Sequence, residues 1–202
     1  AAEKGQELYE YIGSLDKRTG FSLPVPMFNL INGGKHAENN LDIQEFMVIP
    51  DRVAEYHNQL SAGKLIFSTL GQLLRGDAVF LPTGDEGGYA PNLDTNEIAL
   101  DLLVQAIKQS GYQPWEEVSL ALDVAASSVA ATFEVSPKRY LGLIHDFPIL
   151  SLEDPFGEEA WSDWSQFTHR LGGKLMVIGD DLFVTNVERL ERGIREHAAN
   201  AI

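Results

Sequence analysis

The sequence predicts an α/β fold, a parallel sheet wrapped by helices and organised as an incomplete α/β barrel. Three observations predict it. From Val118 onward, short apolar strands alternate with amphipathic helices, the pattern of successive βα units. Each of these strands runs into an acid, at the strand end where barrels and open parallel sheets build their sites. The chain carries about five strands, and a closed barrel needs eight.

The elements read in order as follows. Leu8, Ile12 and Leu15 recur at helical spacing and predict a leading amphipathic helix. Residues 17–20 then read as a turn, so 1–20 form a leading helix and turn and 21–202 the strands and helices of one barrel domain. Met27 to Ile31 predicts a first strand that stops at Gly33 and Gly34, and Phe46 to Ile49 a second, stopped by Pro50. A long helix carries Val53, Tyr56, Leu60, Ile66, Leu70 and Leu73. The loop 83–91 holds too many glycines for regular structure. Asp94 with Glu97 resembles a capping box. It opens a helix with Ile98, Leu102 and Ala106, which Gly111 closes. Strands follow over Val118 to Asp123, Pro148 to Asp154 and Leu175 to Asp181. Ser136 and Pro137 open a short helix before the second of these, and Trp161, Trp164 and Phe167 mark a helix after it. Thr185 with Glu188 resembles a second capping box, ahead of a helix faced by Val187, Leu190 and Ile194.

Composition narrows the function classes. Hydrophobic residues make up 44%, enough for a sizeable core. There are no cysteines, which excludes disulfides and thiolate metal sites. No apolar run approaches the roughly 18 residues of a membrane span, and the N-terminus lacks the apolar core of a signal peptide. A cytoplasmic protein is the expectation. The net charge of −15 argues against nucleic acid as a partner. It also disfavours an anionic substrate, unless divalent cations neutralise some of the carboxylates.

Asp123, Glu153 and Asp180 lie 30 and 27 residues apart, and a βα unit occupies roughly 30 residues. The spacing therefore places them on neighbouring strand ends. Three carboxylates converge only with strong repulsion. A hard divalent cation relieves it, and all-oxygen ligation selects Mg²⁺, Mn²⁺ or Ca²⁺ over zinc. Taken singly, each acid reads better as a cap for the helix that follows; it is the three at matching positions that point to a metal. Glu86 sits among Gly84, Gly87 and Gly88, where the backbone can approach a ligand. It reads as a general acid or base, or as a solvated acidic turn. His36 follows the first strand and the pair Gln44 and Glu45 opens the second. A histidine beside an acid suits catalysis or phosphate binding, although a lone loop histidine is more often merely exposed.

These segments resemble one family. Residues 23–27 (LPVPM), 32–40 (NGGKHAENN), 42–46 (DIQEF), 84–92 (GDEGGYAPN), 122–127 (LDVAAS), 151–155 (SLEDP) and 179–186 (GDDLFVTN) are similar to the successive signatures of enolase, in enolase order. The resemblance implies an enolase-type TIM barrel and the Mg²⁺-dependent, reversible dehydration of 2-phosphoglycerate to phosphoenolpyruvate in glycolysis. It implies Asp123, Glu153 and Asp180 as Mg²⁺ ligands and Glu86 as the catalytic acid that helps the substrate hydroxyl leave. His36, Gln44 and Glu45 become substrate-binding residues. It also implies the superfamily's pairing of a lysine or histidine base with Mg²⁺, which neutralises the developing ene-diolate.

The departures from the family set further expectations. The family's base lysine lies on the strand after the last helix here, and its arginine-serine loop, second lysine and small N-terminal domain have no counterpart in residues 1–202. The crossover between Ser127 and Pro148 is shortened, where the family carries a hairpin and a full helix. The 202-residue chain alone is thus expected to be inactive. A missing segment, a second chain or a homo-oligomer would complete it. The competing expectations are a non-catalytic metal-binding or scaffold fragment, which needs no base, and another metal-dependent member of the wider superfamily.

Overall fold

Five strands set the frame of the site, and helices alternate with them along most of the chain. In the structure, a computed structural model, residues 1–18, 20–75, 81–129 and 133–202 are described. The elements are α1 Leu8–Leu15, β1 Phe28–Asn32, β2 Glu45–Ile49, α2 Tyr56–Arg75, α3 Asn96–Gln109, β3 Ser119–Asp123, α4 Pro137–Asp146, β4 Ile149–Glu153, α5 Trp161–Leu171, β5 Met176–Ile178 and α6 Val187–Glu196. Thr19, in the expected turn, and 130–132, in the shortened crossover, lie outside the described residues.

The sheet order is β1-β2-β3-β4-β5. β3, β4 and β5 are parallel, as expected. The first two pairings are antiparallel, which corrects the expectation of a parallel sheet throughout. Connectivity explains it. No long helix separates β1 from β2, so the chain turns straight back. Two helices, α2 and α3, separate β2 from β3. One crossover helix returns the chain to the end where the strand began; two deliver it to the other end.

The reversal of β2 has a consequence for the rim. β1, β3 and β4 end there, at Asn32, Asp123 and Glu153, whereas β2 begins there, at Glu45. Pairing aligns Asn32 with Glu45, Glu45 with Asp123, Asp123 with Glu153 and Glu153 with Ile178. Strands sit about 4.8 Å apart, so Glu45, Asp123 and Glu153 form one cross-strand row. Side chains alternate between the sheet faces. On one face Phe46, Val48, Leu120, Leu122 and Leu152 join the main core with the helices. On the other, Met47, Ile49 and Ala121 form a small separate cluster, and the acids share its face.

The turn after β4 is pinned from beneath. Tyr140 of α4, Phe156, and Trp164 and Phe167 of α5 contact one another edge to face, a geometry that adds to the gain from burial. The buried Tyr140 hydroxyl donates to the Pro155 carbonyl at 2.7 Å. Burial also pushes the Tyr140 phenol well above its usual range.

Several local expectations shift. The cap of α3 is Thr95, whose hydroxyl accepts from the Ile98 amide, in place of the Asp94–Glu97 box. The cap of α6 is Asn186, accepting from the Arg189 amide, in place of Thr185–Glu188. Both are one residue on, and both substitute one good capping side chain for another. Ser136 caps α4 with Pro137 at its start. The buried stripe of α3 is Ala99, Leu100, Leu103, Ala106 and Ile107, one step round from Ile98 and Leu102. Helix α1 forms, but Leu8, Ile12 and Leu15 remain exposed. β5 ends at Ile178, so Asp180 and Asp181 stand in the turn beyond it. Ala201 already bridges to Ile178 in parallel, so the next strand position begins within the chain and not after it. Among the described residues, no helix is long and apolar enough to cross a membrane.

Candidate active site

At this rim lies a cavity of about 670 Å³, lined by His36, Gln44, Glu45, Glu86, Asp123, Glu153 and Asp180 together with Lys35, Ala125, Ser127, Ser128, Glu158 and Asp181. All seven residues singled out from the sequence reach it. They come from six separate places: the loop after β1, the start of β2, the glycine-rich loop, the end of β3, the end of β4, and the turn after β5.

The carboxylates divide into two groups. Ligand atoms of Asp123, Glu153 and Asp154 lie within 4.8 Å of one another, and so do those of His36, Glu45 and Glu86. Asp180 lines the same cavity but stands outside the first group. The register explains this. Glu153 pairs with Ile178, so Asp180 lies two residues beyond the acid row. Its place in the tight group is taken by Asp154, which the sequence reading left unassigned.

Asp123 is buried and well held. Gln44 donates its amide to Oδ2 at 2.9 Å, and the Ala125 amide donates to Oδ1 at 3.0 Å. Gln44, expected at the substrate, lines the cavity and also orients Asp123 through this bond. Burial pushes Asp123 up to about 6, against those two hydrogen bonds. Glu153 rises to about 8, through burial first and then the charges of Asp123, Asp154, Asp180 and Asp181. Burial likewise raises Asp154 to about 7. Asp123 and Glu153, both reluctant to ionise and both lining this cavity, fit a divalent cation with oxygen ligands. Seven carboxylates line the cavity, against Lys35 and His36 as the possible cations among the described residues.

In the second group the two carboxyls shift in opposite directions. Burial, then the facing Glu86, raises Glu45 to about 9. Glu86 moves the other way, lowered first by its hydrogen bond with Glu45 and then by Asn29. These opposite shifts favour a proton on the deeper Glu45 over one on Glu86. His36 Nδ1 stands 3.6 Å from both Glu45 and Glu86, too far for a hydrogen bond to either.

The glycine-rich loop is held against β1. Asn29 donates to Glu86 at 2.8 Å. The Asn32 amide donates to the Tyr89 carbonyl and the Tyr89 amide to the Leu30 carbonyl, at 2.9 and 2.8 Å. A Cβ at Gly84 would stand 2.5 Å from the Cβ of Asn32 and 2.6 Å from the His36 carbonyl oxygen. Gly84→Ala is therefore expected to lift the loop and loosen Glu86, at a cost of about 1–3 kcal/mol. A urea melt measures this directly, and an unchanged midpoint would show that the loop does not rest on β1 as described.

The fold is part of an α/β barrel, and its rim carries acidic groups that could hold a metal ion. The family model for the enolase C-terminal TIM barrel domain matches residues 20–138 and 128–202. The chain belongs to that family, and its five strands are part of such a barrel. The two matched stretches overlap over 128–138, within the crossover after Ser127 that was expected to be shortened.

Proposed function

We propose that this barrel domain serves an enolase, dehydrating 2-phosphoglycerate to phosphoenolpyruvate with Mg²⁺. The observation that carries the reading is the presence of both groups, acid row and Glu45–Glu86 pair, in one cavity. Asp123, Glu153 and Asp180 are the residues to hold Mg²⁺. When bound, the ion supplies positive charge against the substrate carboxylate as it gains electron density.

The chain's own residues account for the second half of the reaction. Loss of water needs a proton delivered to the departing hydroxyl. The Glu45–Glu86 pair stores one, and the Glu86 carboxyl is the more exposed of the two, at 44% against 15%. Glu45 passes the one stored proton to Glu86, which hands it to the hydroxyl as water leaves, and solvent reprotonates the pair before the next turnover. His36 stands beside this pair and, when protonated, offers positive charge to the substrate phosphate. Gln44 keeps Asp123 oriented. The first half removes the proton next to the carboxylate, and among the described residues Lys35 is the lysine lining the cavity. It lies in the first loop, away from the position of the family's base.

Calorimetric titration tests the reading. The 202-residue chain is expected to bind 2-phosphoglycerate only with Mg²⁺ present. His36→Ala should weaken that binding roughly 10- to 100-fold, the value of one charge-assisted hydrogen bond. Binding of 2-phosphoglycerate that ignores Mg²⁺ would overturn the reading. Mg²⁺ binding with no response to 2-phosphoglycerate would favour the metal-binding scaffold.

A further inference from the structure

We propose that Asp154 is a positioning residue, a buried carboxylate that holds the Asp180 turn in place for the cation. The proposal rests on the metal-ligand reading above and assigns Asp154 a role different from its neighbour Glu153.

Asp154 is 3% exposed. Its Oδ1 accepts from the amides of Asp180 and Leu182 at 3.2 and 3.3 Å, and its Oδ2 from the amide of Asp181 at 2.8 Å. Three consecutive amides thus converge on one carboxylate, the arrangement that backbone nests offer to anions. Both oxygens are engaged. Although Asp154 lies near enough to Asp123 and Glu153 to count as a third ligand, three of its roughly four lone-pair sites already serve those amides, and coordination would compete with them.

The backbone of Asp154 is tied across the same rim. Its amide donates to the Ile178 carbonyl at 3.0 Å, and its carbonyl accepts from the Ala126 amide at 3.0 Å. Its φ is +42°, a left-handed conformation that aspartate tolerates better than most residues. That turn carries the side chain away from the strand direction and toward β5. The Asp180 carbonyl in turn accepts from Phe183 and Val184 at 3.0 and 2.8 Å, which closes the turn. Asp180 itself makes no side-chain hydrogen bond among the described residues, and it lines the cavity. Its position is set by its backbone, and its backbone is set by Asp154.

Asparagine at 154 keeps one acceptor and replaces the other with a donor, which would face the Asp181 amide. Glutamate keeps the charge but lengthens the arm by one methylene, so the three bonds cannot all survive. The two variants separate positioning from simple charge. Amide exchange followed by NMR without metal, together with Mg²⁺ titration, gives the readout. In the wild type, the amides of Asp180, Asp181 and Leu182 are expected to be protected. In Asp154→Asn they should exchange freely while Leu122 and Val177 stay protected, and Mg²⁺ affinity should fall about 10- to 100-fold. Asp154→Glu should fail to restore either.

Unprotected amides in the wild type would overturn the proposal, and that measurement needs no variant to fold. So would Asp154→Glu binding Mg²⁺ like the wild type with its amides exposed, since charge alone would then be enough. Wild-type affinity in Asp154→Asn, with affinity lost in Asp123→Ala, would overturn the positioning role and leave the metal reading standing. Wild-type affinity in both would overturn the metal reading, and this proposal with it.

Discussion

Glu153→Gln is expected to abolish measurable Mg²⁺ binding and yet raise the melting temperature of the metal-free chain above neutral pH. Asp123 has two hydrogen bonds to offset its burial. The Glu153 carboxyl accepts none among the described residues. Burial and four surrounding acids hold it up at about 8. Once ionised, it has no hydrogen bond of its own to offset its burial. Glutamine has the same shape and carries no charge, so it removes the repulsion. The change also strips the cation of an anionic ligand. That loss should exceed the ~10- to 100-fold typical of losing a group behind a ligand. Each kcal/mol of relieved repulsion should raise Tm by about 2–4 °C for a chain of this size. Paired calorimetric titration and thermal melts at pH ~9 make the test, well above a normal glutamate pKa. Unchanged Mg²⁺ affinity would remove Glu153 from the ligand set. A fall in metal-free Tm would mean that Glu153 has a stabilising partner.

Much of this arrangement was legible in the sequence, and the parts that were not have physical reasons. The strands from Val118 onward were readable because each βα unit repeats both an apolar run and a terminal acid. The direction of β2 was hidden, because a half-buried strand alternates in the same way whichever end comes first. Its reversal explains why Glu45 reaches the rim from the start of a strand, while Asp123 and Glu153 reach it from the ends. Counting the two helices between β2 and β3 was the signal that could have revealed it. The caps of α3 and α6 moved one residue because Thr95 and Asn186 stand beside equally suitable neighbours. The spacing argument aligned Asp180 with the other acids, but β5 stops at Ile178 and leaves it in a turn. Asp154 escaped notice because it follows Glu153 directly, and sequence does not show which of two adjacent carboxylates faces the cavity. Its signal was the left-handed backbone, which becomes visible only in the structure. The apolar face of α1 was legible as a helix face, but a pattern of Leu8, Ile12 and Leu15 does not name what it packs against.

The metal-free chain should lose stability as pH rises from about 5 to 9, and Mg²⁺ should reverse the trend. Asp123, Glu153, Asp154 and Glu45 are raised to about 6, 8, 7 and 9. Their ordinary values lie near 4. Between the ordinary and the raised values, the folded chain holds protons that the unfolded chain has released. Stability falls with pH wherever the folded state binds more protons. The contribution of these groups is therefore complete below pH ~4 and gone above the highest raised value. This runs against the usual pattern, in which paired carboxylates make a protein weaken toward acid. Burial supplies the largest part of each shift here, and mutual repulsion adds to it at Glu45 and Glu153. A bound cation requires the ionised forms, so Mg²⁺ affinity should climb over the same range and binding should release protons. Thermal melts with EDTA and with Mg²⁺, stepped across that range, should therefore diverge as pH rises. Proton release is measured independently by titrating Mg²⁺ in two buffers of different ionisation enthalpy. Parallel melting curves with no released protons would show that these four carboxyls ionise freely in the folded chain, and that no cation is needed to hold them together.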